Sequence, residues 1–271
     1  NHEYTNGWLM FPGYSMKNAK DKATEEELRI EMEAHGFSLM EIKRDDPGWR
    51  QMLGSEFTRR VTATTPVTIS GPAAGHARMR TLHDPHGRKV LGTLANCSGG
   101  VTPWGTILVS EENFDGYFYG RTQTAEQASH DRYTVGKKTF YGWHRIDPRF
   151  YVAREPNEPN RFGWVVEYDP YDPKSVPVKR TALGRFKHET ATCALTRDGR
   201  LAVYSGDDDY NEYLYRFVSR DPVASGKRDL LDHGELQVAK FQDSGMLEWI
   251  PLVHGRHGLT AENGFHSQAD V

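Results

Sequence analysis

Apolar and polar residues along this chain alternate in short runs, bounded by Gly, Pro, Asp and Asn, which predicts strands and turns rather than long helices. One segment near the N-terminus departs from that rhythm. Leu28 and Met32 lie four residues apart and share a helical face. Thr24 is a good N-cap, Glu27 completes a capping box, and Gly36 can end the helix. A second short helix is predicted around residues 76–82. The rest reads as strands: TILVSEE (106–112), FYGWHRI (140–146), GWVVEY (163–168), ALT (194–196), RLAVYSG (200–206), EYLYRFV (212–218), ELQVAKF (235–241) and MLEWI (246–250). Val, Ile, Tyr, Phe and Trp fill these runs. Asp198-Gly199 signals a hairpin, GDDDYNE (206–212) is a polar turn into the next strand, and residues 121–138 and 154–161 read as inserted loops. Strand, tight turn, strand, acidic turn, strand is the rhythm of a β-propeller blade of roughly 40–50 residues. A β-sandwich gives similar runs and no sequence repeat is visible, so the pattern fixes a mainly β class and leaves the architecture open.

Composition narrows the function classes. With 37% hydrophobic and 26% charged residues among 271, the chain can bury a core. A formal charge of -3 offers no basic patch for nucleic acid, and no run approaches the roughly 20 apolar residues of a membrane span. The chain opens on Asn1 rather than Met, so the absence of a signal peptide carries little information. Cys97 and Cys193 allow one disulfide arithmetically but no disulfide scaffold. The 12 histidines include loop pairs such as HDPHG and HGRHG, and there is no H-E-x-x-H pair. A G-x-S-x-G elbow and a G-x-x-x-x-G-K-[ST] loop are also missing, which removes most support for serine hydrolases and P-loop enzymes.

Four clusters could carry chemistry: NHEY (1–4), NCSGGVTPWGTILVSEEN (96–113), GRFKHET (184–190) and SGDDDYNEY (205–213). Glu111 and Glu112 are adjacent on a strand and face opposite ways, so at most one enters a given site, with Asn113 on the side of Glu111. Oxygen donors of this kind suit hard cations such as calcium, and solvated strand-end carboxylates are the competing reading. Cys97 precedes Ser98-Gly99-Gly100, where paired glycines permit close backbone approach. Its thiolate could bind a metal or attack a substrate, and a small buried hydrophobe is the alternative. Alternation sends Lys187 and Glu189 one way and His188 the other. Asp207, Asp208 and Asp209 concentrate negative charge that a multivalent cation would neutralise and a solvated turn would also tolerate.

These clusters together resemble the PhoX-type alkaline phosphatase family. The run NC-x-GG-x-TPWGT ending in EEN is similar to its signature, GRFKHE and GDD…EY-x-Y-x-FVS to later signatures, NHEYTNGWLMFPG to its N-terminal segment, and GFHSQADV to a block near its last catalytic motif. The resemblance implies a six-bladed β-propeller, incomplete in this chain, as one domain over residues 1–271 that lacks both ends, with a short helical insertion near the N-terminus. It also implies a centre of ferric iron and calcium with a bridging oxo nucleophile that hydrolyses small phosphomonoesters and releases phosphate. By the same resemblance Cys97, Glu189 and Asp208 are metal ligands, with Asp207 as neighbour. Glu111, Glu112 and Asn113 supply cation ligands and a phosphate contact, Glu3 belongs to the same centre, and Lys187 and His188 stand beside it, with Asn113, Lys187 and His188 as the catalytic candidates. Twin-arginine export to the periplasm or medium follows from the family, and a monomer is expected.

Two neighbours of ligands depart from the family: HETAT stands where HEGA is common, and Ser110 where many members have a second cysteine. No Arg-Pro-Glu motif occurs, so the chain taken alone is expected to bind iron poorly and to turn over little. The rivals are a calcium-dependent lactonase-like propeller hydrolase, a non-catalytic propeller binding module and a zinc hydrolase.

Overall fold

The computed structural model describes residues 23–137 and 139–271, so Glu3 and the NHEY segment lie outside the described residues. Helix α1 (Glu25–Ala34) forms as its cap predicts. The Thr24 hydroxyl accepts the Glu27 N–H at 3.2 Å, and the Glu27 carboxylate accepts the Thr24 N–H at 2.7 Å. Leu28 and Met32 are buried, and Glu31 joins them by accepting the Trp143 indole N–H at 2.8 Å. The chain leaves the helix through Gly36 at φ +96°, where a Cβ would sit 1.9 Å from the Val61 carbonyl oxygen, so no other residue fits. Residues 76–82 hold only a single 3-10 turn, Ala77–Met79, and the insertion at 121–138 carries helix α2 (Glu126–Arg132).

Short strands make up the frame. They are β1 (Phe37–Leu39), β2 (Ile42–Asp45), β3 (Gly48–Gln51), β4 (Arg59–Val61), β5 (Pro66–Ser70), β6 (Lys89–Leu91), β7 (Asn96–Val101) and β8 (Ile107–Glu111). There follow β9 (Val165–Tyr168), β10 (Val178–Arg180), β11 (Thr192–Leu195), β12 (Arg200–Gly206), β13 (Leu214–Pro222), β14 (Gly234–Phe241) and β15 (Leu247–Pro251). A six-stranded sheet runs β6-β5-β10-β9-β8-β7, antiparallel except for the parallel β5–β10 pair. A five-stranded antiparallel meander runs β11 to β15, its first hairpin turned at Gly199, φ +76°. The pairs β1–β4 and β2–β3 form two small ribbons.

The two large sheets meet where β7 passes β11. A Cβ on Gly99 would lie 1.8 Å from the Leu108 oxygen, and one on Gly100 would lie 2.1 Å from the Ala191 oxygen. The glycine pair after Cys97 therefore serves backbone approach, as predicted. Leu108, Val165, Leu201, Val203 and Phe217 fill a core shared by both sheets. A second core is aromatic, and it corrects the strand predicted at 140–146. That segment is loop with one 3-10 turn, Trp143–Arg145. Tyr141 and Trp143 pack edge-on against His35 at 4.9 and 4.8 Å, so the aromatic run is spent on burial and not on a ladder. Both cysteines are free.

Candidate metal centre

Three of the chemistry-bearing clusters converge where the six-stranded sheet meets the meander. The His188 N–H donates to the Glu111 carbonyl (3.0 Å), the Asp208 N–H to the Lys187 carbonyl (3.0 Å), and His188 pairs with Asp207 in an antiparallel bridge. Segments 111–113, 187–189 and 206–208 thus lie side by side. One carboxylate oxygen each from Glu112, Glu189 and Asp208 falls within 4.8 Å of the other two, Glu112 buried and the other two exposed. Three anionic oxygens this close repel one another unless a cation stands among them, and carboxylate oxygens are the donors that hard cations prefer. The donor set fits such an ion.

Each of these acids follows a residue that the fold uses for itself. Glu111 is fully buried. One of its oxygens accepts from the Thr93 hydroxyl (2.9 Å), the Leu94 N–H (3.2 Å) and the Lys179 ammonium (2.8 Å). The other accepts from the Gly163 and Trp164 N–H groups (3.0 and 3.1 Å) and again from Lys179 (3.1 Å). Its lone pairs are committed to the fold, so Glu112 and not Glu111 joins the acidic group. His188 is likewise fully buried and stacks on Phe186 at 3.6 Å. Its Nε2–H donates to the Gly184 carbonyl (2.9 Å), which leaves Nδ1 to accept from the Ser205 hydroxyl (2.8 Å). Burial presses its pKa down to about 4. Both ring nitrogens are thus engaged inside the fold, which sets His188 apart from the exposed carboxylates of Glu189 and Asp208. Asp207 accepts the Lys187 N–H (3.2 Å) and is pushed up to about 6, by burial first and by Glu212 and Asp209 after it.

The remaining predicted residues border the group. The Cys97 thiol is pushed up to about 11, by burial first, then by its hydrogen bond with Glu112 and the charges of Glu112 and Glu189. Those same interactions place it next to the acids. Strand β8 ends at Glu111, and the following turn swings Asn113 so that its amide donates to a Glu112 oxygen at 2.6 Å, a placement strand alternation does not foresee. Burial would lower the Lys187 ammonium, but Asp115 at 3.5 Å and Asp209 at 2.9 Å raise it instead. Lys187 therefore stays charged beside the centre. Sequence reasoning passes over Lys179, whose only mark is a charge inside the short run Val178–Arg180.

Fold and site define a class: a β-sheet protein whose two large sheets bring carboxylates and a thiol together at their junction, a donor set suited to metal ions. The chain belongs to the alkaline phosphatase PhoX family, whose model matches residues 1–271. It is similar to a solved structure, Pseudomonas fluorescens PhoX in complex with vanadate, a transition state analogue, at 45% identity and a TM-score of 0.88. The match covers 100% of this chain and 47% of that one, so the chain spans about half the length of this relative. No curated protein matches the chain.

Proposed function

We propose that this chain carries the metal-holding acids of a phosphomonoester hydrolase. The observation that bears most weight is the convergence of Glu112, Glu189 and Asp208, three acids from three separate sequence clusters, within 4.8 Å. Family membership and the vanadate complex of the P. fluorescens relative support the reaction class. Glu112, Glu189 and Asp208 would hold cations, with the Cys97 thiolate as the soft ligand that suits iron beside calcium. The bound metals would supply the positive charge that holds a phosphoryl dianion and the nucleophile that attacks it.

The chain's own residues supply the rest. Asn113, tied to Glu112, presents an amide that can contact a phosphate oxygen. Lys187 adds a cation beside the centre, and Asp115 and Asp209 hold it in place. Glu3 joins the same centre by family resemblance. We extend the reading to a β-propeller as the architecture of the whole domain, to export from the cytoplasm and to a monomer. Among the described residues no helix is long and apolar enough to cross a membrane.

Elemental analysis tests this reading, together with hydrolysis of p-nitrophenyl phosphate. Calcium should be retained by the chain and lost from Glu189→Ala, and iron, where present, should fall with Cys97→Ser. Hydrolysis by the chain alone should be low, and Glu189→Ala should abolish whatever there is. Full metal content and activity in Glu189→Ala would refute the assignment, and calcium without iron under iron-replete growth would favour a lactonase-like calcium site.

A further inference from the structure

Lys179 is among the most enclosed charges in the protein. Its ammonium is fully buried, bonds both oxygens of Glu111 and the Arg161 carbonyl (2.8 Å), and lies 3.8 Å from the centre of the Phe162 ring. All three of its donors and its open face are used. Taking a lysine and a glutamate out of water is costly, and such a pair holds its geometry because every alternative leaves a bare charge. Glu111 in turn ties together the approach to β7 through Thr93 and Leu94, the entry to β9 through Gly163 and Trp164, and β10 through Lys179. Its main-chain carbonyl accepts the His188 N–H at 3.0 Å.

The consequence for the acidic group is geometric. Glu112 follows Glu111 and Glu189 follows His188, so the two acids are each one residue from the same hydrogen bond. Asp208 follows Asp207, which bridges to His188. We propose that the buried Glu111–Lys179 pair is the positioning device of the acidic group, fixing where Glu112 and Glu189 stand before any cation arrives. Lys179 is thus a positioning residue with no contact to the ligand set, and the inference rests on the metal-holding reading above. Such outer partners commonly set metal affinity by one to two orders of magnitude.

Strand β10 also provides the control. Arg180, the next residue, pairs with Glu167 at 2.6 Å and Asp232 at 2.5 Å and is not among the residues that hold the acidic group. The 271-residue chain, Lys179→Met and Arg180→Met are compared by calcium titration calorimetry and, without metal, by hydrogen exchange at the His188 amide. Lys179→Met should weaken calcium binding by about ten- to a hundredfold and speed that exchange, while Arg180→Met keeps wild-type affinity. Should Lys179→Met fail to fold, Lys179→Gln, which retains a donor, carries the same test. Wild-type affinity and exchange in the Lys179 variant overturn the proposal, as does an equal loss of affinity in Arg180→Met. If the parent chain takes up no calcium while Lys179→Met still loosens His188, the positioning role stands and the metal-holding reading falls.

Discussion

His35 shows how a single residue couples this fold to pH. Its Nδ1–H donates to the Glu31 carbonyl at 2.7 Å, and the ring sits in a box of Tyr117, Tyr141 and Trp143, all edge-on. Burial first, with the Arg60 charge as a lesser cause, lowers its pKa from 6.5 to about 4. Between those values the unfolded chain binds a proton that the folded chain refuses. Stability therefore rises with pH through that window and is lost as pH falls from 6.5 towards 4, by at most about 3 kcal/mol for this group. Urea denaturation at pH 7.5 and pH 4.5 should show that loss, and His35→Leu should flatten the slope; an unchanged slope would remove His35 as its source. Cys97 makes a second residue-scale prediction. With its thiol pushed up to about 11, iodoacetamide should label it slowly at pH 8 in metal-free protein and much faster towards pH 11. Rapid labelling at pH 8 would contradict that placement.

At the scale of elements, the glycine pair of β7 and the cap of α1 make contrasting predictions. Gly100→Ala forces a methyl against the Ala191 carbonyl at 2.1 Å and must part the two sheets, so it should cost about 1–3 kcal/mol by denaturant melting and weaken the acidic group with it. Thr24→Ala removes one capping oxygen and should cost about 1 kcal/mol with calcium affinity unchanged. The elements governed by local chemistry are the ones legible in the sequence. The α1 capping box, the Gly199 hairpin and strands β8, β9 and β11 to β15 all stand within a few residues of where turn and cap residues put them. What local reasoning misread was decided at long range. The aromatic run at 140–146 is claimed by a core reaching back to His35, and the pair Glu111–Lys179 spans 68 residues of chain. The acidic group was half legible: alternation allowed only one of Glu111 and Glu112, but which one depends on a lysine two strands away.

For the molecule as a whole, the proposed metal-holding role of the acids at the sheet junction would link metal binding to global stability. A ligand that binds only the folded state stabilises it by about 2.7 kcal/mol at a hundred times its dissociation constant. Calcium should therefore raise the melting temperature of the chain, and EDTA should lower it again. Glu112→Gln or Asp208→Asn should remove the calcium response without lowering the EDTA baseline. A calcium response that survives in both variants would place the ion elsewhere.

The parallel pairing of β5 with β10 sets an order of events. Thr68 must find Val178, while the meander from β11 to β15 closes only neighbours in sequence. Contacts between near neighbours form sooner, because closing a long loop costs entropy before any contact repays it. On a ribosome, the six-stranded sheet therefore waits for residues 178–180 to emerge, and the acidic group at the junction waits longer still, for Asp208. On the proposed metal-holding reading, metal capture is then a timer. A nascent chain halted before the meander has Glu112 and Glu189 but lacks Asp208, so on that reading an ion that binds marks a protein whose two sheets have already met.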